Sequence, residues 1–355
     1  MCGFMIDSVG YAAQNAGGKL EKFSFKRRDV GDRDVLIEIS YCGICHSDIH
    51  QVKNEWNESN YPLVPGHEII GKVVATGKNV KRFKVGELAG VGCMIGSCGK
   101  CDACIRGEEQ NCKNGPVWTY NSTDSVTGNP TQGGYSSNIV VDESFALRIS
   151  KGVDEASTAP LMCAGITTYS PLKKWGAGPR KRVGVAGLGG LGHMAVKIAK
   201  AMGADVTVIT SSKSKVEEAK RLGASRVILS NDKAALEANK KSFDILLDTI
   251  PAKHDIDAML SLTKPAGAVV VVGLPPKSQK YELSASSVVE GGRIFAGSNI
   301  GGIKETQEML DFCAKHNVAA DVEKIQPEKI NEAYERALKS DVKYRFVIDM
   351  SSLRH

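Results

Sequence analysis

The chain has 355 residues, 42% of them hydrophobic and 24% charged, the balance of a soluble globular protein with room for about two domains. Its net charge of +6, from 46 basic and 40 acidic residues spread along the chain, is too mild for a nucleic-acid binder. No apolar run is long enough to span a membrane.

The opening MCGFMIDSVGYAAQ lacks the basic region and apolar stretch of a signal peptide. The ten cysteines are therefore expected in a reducing cytoplasm, where thiols favour metal over disulfide. Up to about residue 150 the chain reads as strands and loops. Val35–Ser40, Ile69–Ala75 and Ser137–Asp142 are β-branched runs bounded by Gly, Pro or Asp. The texture then changes to alternating strand and helix. Strands are expected at Val183–Ala186, Val206–Thr210, Arg226–Leu229, Phe243–Leu247, Ala268–Val272 and Arg293–Ala296. Helices are expected at Leu191–Met202 and 214–222, the second opened by a capping box, Ser214 to Glu217. Six strands with intervening helices predict an α/β doubly wound parallel sheet. Two helices, around 304–316 and 327–339, precede a closing strand, Tyr344–Asp349. A strand placed after that sheet suggests a return to the first domain. The expected division is 1–153, with a cysteine lobe at 93–113, then 154–296, then 297–355.

The lobe holds Cys98, Cys101, Cys104 and Cys112 in the pattern C-x2-C-x2-C-x7-C. Four thiolates so close can satisfy one tetrahedral zinc in a closed, structural site. An iron–sulfur cluster is the rival, but there the fourth cysteine follows after three residues and precedes Pro; here it precedes Lys113. Four unligated thiols are the remaining reading. A sparser set suggests a second, open site. Cys45 lies in Cys45–His50, beside two imidazoles; His67 precedes Glu68; Cys163 follows about a hundred residues later. Three protein ligands leave a fourth position for water or substrate oxygen. Any one of these residues alone reads as structural, and Cys163 alone as a buried thiol; the set carries the reading.

Gly187, Leu188, Gly189, Gly190, Leu191 and Gly192 form a G-x-G-x-x-G sequence between an expected strand and an expected helix. In that context the glycines allow a tight turn, approach of the backbone to a pyrophosphate, and close packing of helix on strand. The helix N-terminus offers N–H groups to the phosphates. About twenty residues on, an NAD site carries an acid for the ribose. This chain has none between Val206 and Val216. Ser211, Ser212 and Lys215 stand there instead, and hydroxyls and ammonium groups suit a 2′-phosphate. NADP(H) is the expected cofactor.

The segments G-I-C-H-S-D-I-H, P-G-H-E, the cysteine lobe, C-A-G-I-T-T-Y and G-L-G-G-L-G, in that order, resemble the zinc-dependent medium-chain alcohol dehydrogenases, and within them the cinnamyl alcohol dehydrogenase group. The likeness extends through Gly301–Glu308 to the closing strand. It implies a β-rich GroES-like catalytic domain interrupted by a Rossmann nucleotide domain, usually in a homodimer. It implies two zincs per chain, one on Cys45, His67 and Cys163 and one in the lobe. Glu68 would be able to approach the catalytic metal, Asp48 would orient the His67 ring, Ser47 would bond the substrate oxygen, and His50 would end a proton relay through the cofactor ribose. Thr167 would lie against the nicotinamide and Arg345 near the pyrophosphate, with Gly273 and Ser298 as further cofactor contacts. Trp56, Cys93 and Trp118 would line the substrate pocket. Cys42 and His46 receive no role, and Cys2 and Cys313 look incidental.

The implied reaction is hydride transfer between NADP(H) and an aldehyde or primary alcohol, with zinc as Lewis acid and closure over the substrate excluding water. Aromatic, cinnamyl-type and medium-chain aldehydes all suit the two tryptophans. Three other readings are open. An NAD-dependent polyol dehydrogenase would want a more hydrophilic pocket. A zinc-free quinone reductase would lack the ligands. A non-catalytic NADPH-binding redox sensor would have no need of Ser47 and His50 beside Cys45.

Overall fold

A computed structural model describes residues 5–354; Cys2 and the first residues of the N-terminal reading lie outside the described residues. The chain forms two compact units. The first comprises the residues up to Cys163, Gly301–Ala314 and those from Ala319 on; the second is Ala164–Ile300 with Lys315–Val318.

In chain order the first unit contributes strands β1 (Ile6–Ala13), β2 (Leu20–Arg27), β3 (Asp34–Gly43), β4 (Ile69–Thr76), β5 (Leu88–Val91), β6 (Met94–Gly96), β7 (Val117–Trp118), β8 (Asn138–Asp142) and β9 (Leu147–Arg148). The second unit supplies β10 (Arg182–Ala186), β11 (Asp205–Thr210), β12 (Arg226–Leu229), β13 (Phe243–Asp248), β14 (Thr263–Val271) and β15 (Ile294–Gly297). Then β16 (Val322–Ile325) and β17 (Arg345–Asp349) follow.

The main sheet of the first unit runs β16-β17-β3-β4-β5-β9, with β8 also on β3. Its alternating strands turn Val35, Ile37, Ile39, Ile69, Val73, Ile139 and Phe346 into one buried core, as one-sided burial of an antiparallel sheet requires. The closing strand pairs antiparallel with β3, setting Val347 opposite Gly43 and Ile348 opposite Cys42. This is the expected return to the first domain, and it brings Arg345 to the end of the strand that leads into Cys45.

The second unit is a six-stranded parallel sheet in the order β12-β11-β10-β13-β14-β15. Numbered within the unit this is 3-2-1-4-5-6, the order of dinucleotide-binding folds. Strands covered on both faces need continuous apolar runs, which is why Val206–Ile209 and Ile245–Leu247 are buried without alternation.

Several details differ from the sequence reading. The interruption begins at Ala164 rather than 154. Asp154 caps a short helix, Glu155–Thr158, by accepting from Ser157 N at 2.8 Å. That helix and the turn Ala159–Met162 stay with the first sheet: a Cβ on Gly90 would lie 2.6 Å from the Met162 methyl. The strand Val322–Ile325 was not anticipated. The capping box at Ser214 does not form. A 3-10 turn, Lys213–Lys215, precedes the helix Val216–Leu222, and the Ser214 hydroxyl lies 2.8 Å from that of Ser212.

Candidate metal and dinucleotide sites

The four lobe sulfurs lie within 4.8 Å of one another. Sγ–Sγ separations are 3.9 Å for Cys98–Cys104 and 3.5 Å for Cys101–Cys104. Zinc–sulfur bonds of about 2.3 Å at tetrahedral angles place sulfurs about 3.8 Å apart, so the donor set fits one zinc ion. An iron–sulfur cluster would spread its thiolates over several irons, and this group is too tight for that. Backbone amides also face the sulfurs: Cys98 N donates to Cys112 Sγ at 3.4 Å and Lys113 N to Cys101 Sγ at 3.5 Å. The amides of Cys104 and Lys113 bring the Cys101 thiol down to about 6, favouring the thiolate that binds metal.

The second cluster joins Cys45, His67, Glu68 and Cys163, all buried, with ligand atoms within 4.8 Å of one another. Cys45 precedes the helix His46–Val52. Its sulfur lies 3.9 Å from that of Cys163, 118 residues away, again the separation expected across a zinc ion. The Cys45 thiol is pushed well below its ordinary range, against its burial, first by a hydrogen bond from Cys163 and then by His67 and Arg345. His67 sits just before β4 and presents Nδ1 to Asp48 Oδ1 at 3.1 Å, which leaves Nε2 for a metal. Cysteine and histidine leaving one position open is the donor set of catalytic zinc.

Asp48 organises the cluster. Its carboxylate is fully buried and faces four donors: Cys45 N at 2.9 Å and the Tyr135 hydroxyl at 3.1 Å on Oδ2, Gly66 N and His67 Nδ1 at 3.1 Å on Oδ1. Ser47 Oγ stands 3.7 Å from Cys45 Sγ. His50 Nδ1 contacts the Glu55 carboxylate, while Nε2 is buried with no partner. The Trp56 ring packs on His50 at 5.1 Å. Cys93 Sγ lies 3.9 Å from Met162 O, beside Cys163. Trp118 pairs across β6–β7 with Met94, the residue after Cys93.

Sequence reasoning missed several neighbours. Tyr120 stacks on His67 at 5.7 Å, and Tyr334 lies 3.4 Å from the Tyr135 hydroxyl. Burial, reinforced by Asp48, raises all three phenols well above their ordinary range, so they are neutral hydrogen-bonding groups. No local pattern marks them; the fold alone brings them to Asp48. Glu55, five residues after His50, was within reach of a local reading. Arg345, expected beside the pyrophosphate, donates from Nη2 to Glu68 Oε1. Its Nε and Glu68 Oε2 are buried without partners. Burial pushes the Glu68 carboxyl up to about 7 despite Arg345.

In the second unit, β10 ends at Ala186 and the glycine loop leads into the helix Gly190–Ala201. Gly187 adopts φ +90°. A Cβ on Gly192 would lie 2.2 Å from Gly187 O, whereas one on Gly189 would meet nothing within 4 Å. The third glycine is thus needed for packing, and the second faces open space, as approach of a pyrophosphate requires. Lys215 Nζ donates to Leu188 O at 2.9 Å, tying the acid-free segment after β11 to the loop. Ser211 is exposed and Ser212 half-buried. Gly273 N donates to Asp248 O at 3.1 Å, and Ser298 N to Val271 O at 3.1 Å. Both therefore sit at the C-terminal ends of β14 and β15, the sheet edge where such folds bind ligands. Thr167 is buried in the helix Ala164–Lys174.

A closed tetrathiolate site, an open Cys–His–Cys site and a 3-2-1-4-5-6 dinucleotide fold define a metal-dependent, nucleotide-linked oxidoreductase. Residues 31–151 match the alcohol dehydrogenase GroES-like domain and 190–315 the zinc-binding dehydrogenase domain. The chain is 54% identical over 345 residues to NADP-dependent alcohol dehydrogenase C 1 of Mycolicibacterium smegmatis, covering 97% of this chain and 98% of the relative. Among solved structures it is similar to a cinnamyl alcohol dehydrogenase from Sorghum bicolor (TM-score 0.95, 45% identity, 98% of each chain). It is also similar to one from Helicobacter pylori complexed with NADP(H) (TM-score 0.93, 43% identity, 98% of this chain and 99% of that one). The chain belongs to the zinc-dependent medium-chain alcohol dehydrogenases, in the cinnamyl alcohol dehydrogenase-like group.

Proposed function

We propose that this chain is a zinc- and NADP(H)-dependent alcohol dehydrogenase and aldehyde reductase acting on aromatic, cinnamyl-type and medium-chain aldehydes. The observation that carries the reading is the Cys45–His67–Cys163 set, with sulfurs 3.9 Å apart, in the same chain as a glycine loop followed by an acid-free strand end. When bound, zinc supplies a Lewis acid and NADPH a hydride. The protein's own part is to hold and orient. Asp48 fixes the His67 ring and the Cys45 backbone. Ser47 is placed beside the metal ligands to bond a substrate oxygen and pass it a proton. His50, backed by Glu55, carries that proton onward. Glu68, held by Arg345, keeps one carboxylate oxygen free at the cluster.

Gly187–Gly192, Gly273 and Ser298 receive the dinucleotide along one sheet edge, with Ser211, Ser212 and Lys215 at the 2′-phosphate and Thr167 and Arg345 as further contacts. Trp56, Cys93 and Trp118 bound the substrate. No helix among the described residues is long and apolar enough to cross a membrane, and every described cysteine lacks a disulfide. Unpaired thiols suit a reducing cytoplasm, and the family resemblance implies a homodimer. The test is a kinetic panel of aldehydes with NADPH and NADH, joined to zinc analysis of the native protein and Cys163→Ala. Two zincs per chain, a preference for NADPH and apolar aldehydes, and one zinc with turnover reduced on the order of a thousandfold in the variant are expected. Unchanged turnover in Cys163→Ala defeats the mechanism.

A further inference from the structure

The second unit contains a buried acid–imidazole pair that the reaction does not use. Asp248 ends β13 and is fully buried. Its Oδ1 accepts Ile250 N at 3.1 Å. Its Oδ2 lies 2.8 Å from Nε2 of His254. The other ring nitrogen, Nδ1, lies 2.8 Å from Ala252 O. Neither Asp248 Oδ2 nor His254 Nε2 completes a hydrogen bond, so their close contact is an ion pair, present only while the ring carries its proton. The residues from 248 to 254 thus close on themselves through one ring.

What this loop supports is the dinucleotide edge. Thr249 Oγ1 donates to Ala186 O at 2.8 Å, immediately before the glycine loop. A Cβ on Gly187 would come 2.8 Å from Thr249 Oγ1, and one on Gly273 would come 2.7 Å from the Ile250 and Thr249 backbone. Residues 249 and 250 thus face two of the glycines expected to meet the cofactor, Gly273 through their backbone and Gly187 through the Thr249 hydroxyl, itself held on Ala186 O, so movement of the loop passes to both.

We propose that Asp248 and His254 form a clasp that positions the dinucleotide site, and that cofactor affinity falls when the His254 ring loses its proton. The proposal rests on the dinucleotide reading above and adds to it a residue pair outside the phosphate loop. His254 is faced by Asp248 from β13, by Asp255 at the cap of the helix Ile256–Leu262, and by the Tyr281 ring at 5.4 Å, whose hydroxyl is buried without a partner. Neighbouring Lys253 is engaged by Glu282 at 2.6 Å. Two carboxylates thus act on the ring. Although burial disfavours its charge, the Asp248 carboxylate and the Ala252 carbonyl raise its pKa above the ordinary histidine value. The clasp is complete below the ordinary value and is lost as pH rises through the raised one.

The test is NADPH binding by the zinc-loaded protein, followed by nucleotide fluorescence from pH 6 to 9, for the native chain and His254→Gln. Native affinity is expected to fall toward pH 9. His254→Gln should bind about fivefold or more weakly at pH 6, the lower end of ordinary coupling between sites, and approach the native value at pH 9. Its loss should be larger in kcat/KM for NADPH than in kcat. The cofactor 2′-phosphate titrates near pH 6 in both proteins, so the difference between the profiles reports His254. Equal affinities and parallel profiles overturn the proposal. A second measurement needs no variant. With histidine-selective NMR labels on the native protein, NADPH must raise the His254 midpoint, because coupling is reciprocal; an unmoved midpoint overturns the proposal. If the native protein binds NADH instead, the NADP preference fails and the same comparison with NADH still decides the clasp. If it binds neither nucleotide, both readings fail.

Discussion

Replacing Asp48 by Asn isolates the support of the metal ligands from the ligands themselves. The carboxylate accepts from four donors, two on each oxygen. An asparagine of the same shape has one oxygen and one NH2, so two of the four donors meet another donor whichever way the amide turns. A buried donor left unpaired costs about 1–3 kcal/mol, giving about 2–6 kcal/mol when both stay unpaired and about 1–3 kcal/mol when His67 escapes by shifting its proton. That is within the roughly 5–15 kcal/mol that holds a protein folded, so the variant should fold with lowered stability. If the NH2 faces His67, Nδ1 must accept, which places the proton on Nε2 and removes the lone pair a metal needs. If it faces Cys45 N and Tyr135, the segment carrying a ligand sulfur loosens.

Either turn should weaken the open site's zinc affinity and aldehyde reduction by about 10–100-fold, equivalent to about 1.4–2.7 kcal/mol. The assay is zinc retention against a graded chelator, read beside kcat/KM. One zinc should leave early while the lobe zinc stays. Retention of both zincs with native turnover, even at a lowered melting temperature, would reduce Asp48 to a packing residue and refute the reasoning.

Ser211→Asp places a carboxylate at the first position after β11, where the chain carries no acid. It should lower the NADPH-to-NADH ratio of kcat/KM by at least about tenfold, because a fixed negative charge repels the 2′-phosphate by a few kcal/mol at close range; an unchanged ratio would place the phosphate elsewhere. The pH dependence of the lobe follows from Cys101. Its folded-state value of about 6 lies below that of a free thiol, so the thiolate is present above pH 6 and protons compete below it. Burial and its thiol neighbours hold Cys104 up to about 11, so zinc uptake by the metal-free protein should weaken steadily as pH falls and more steeply below about 6, where Cys101 also takes a proton, measured by competition with a colorimetric chelator. Uptake equally tight at pH 5 and 7.5 would contradict the thiolate ligation.

The elements legible from local pattern were those in which the physics is local. Apolar runs such as Val206–Thr210 and Phe243–Leu247 need burial on both faces, and they became β11 and β13. The four lobe cysteines, all within fifteen residues of sequence, can close one site by turns alone. The phosphate loop is a strand end, a turn and a helix start in one short stretch, and its third glycine is required by a carbonyl only five residues earlier. The missing acid after β11 is likewise a statement about one loop.

Where a feature depends on chain segments meeting across the fold, local pattern was weaker or silent. Local pattern marks Cys163 as a ligand only as one of a set and through family resemblance; alone it is a buried thiol. What puts its sulfur at Cys45 is the docking of 155–162 on the first sheet, the same contact that moves the unit boundary to Ala164. Tyr120, Tyr135 and Tyr334 had no signal, since a phenol's partner is set by what burial leaves nearby. Arg345 illustrates the point best. As a strand residue near the C-terminus it has no local reason to meet Glu68, 277 positions away. The pairing of β17 with β3 brings the two together in a buried site, where an unpaired charge would be costly. The sequence by itself determined the ligand types, the phosphate loop and the acid-free strand end, because those are properties of neighbouring residues. Only the tertiary structure decided which buried charges and hydroxyls hold them in place, because desolvation and hydrogen-bond pairing depend on the whole surround of an atom and not on its place in the chain.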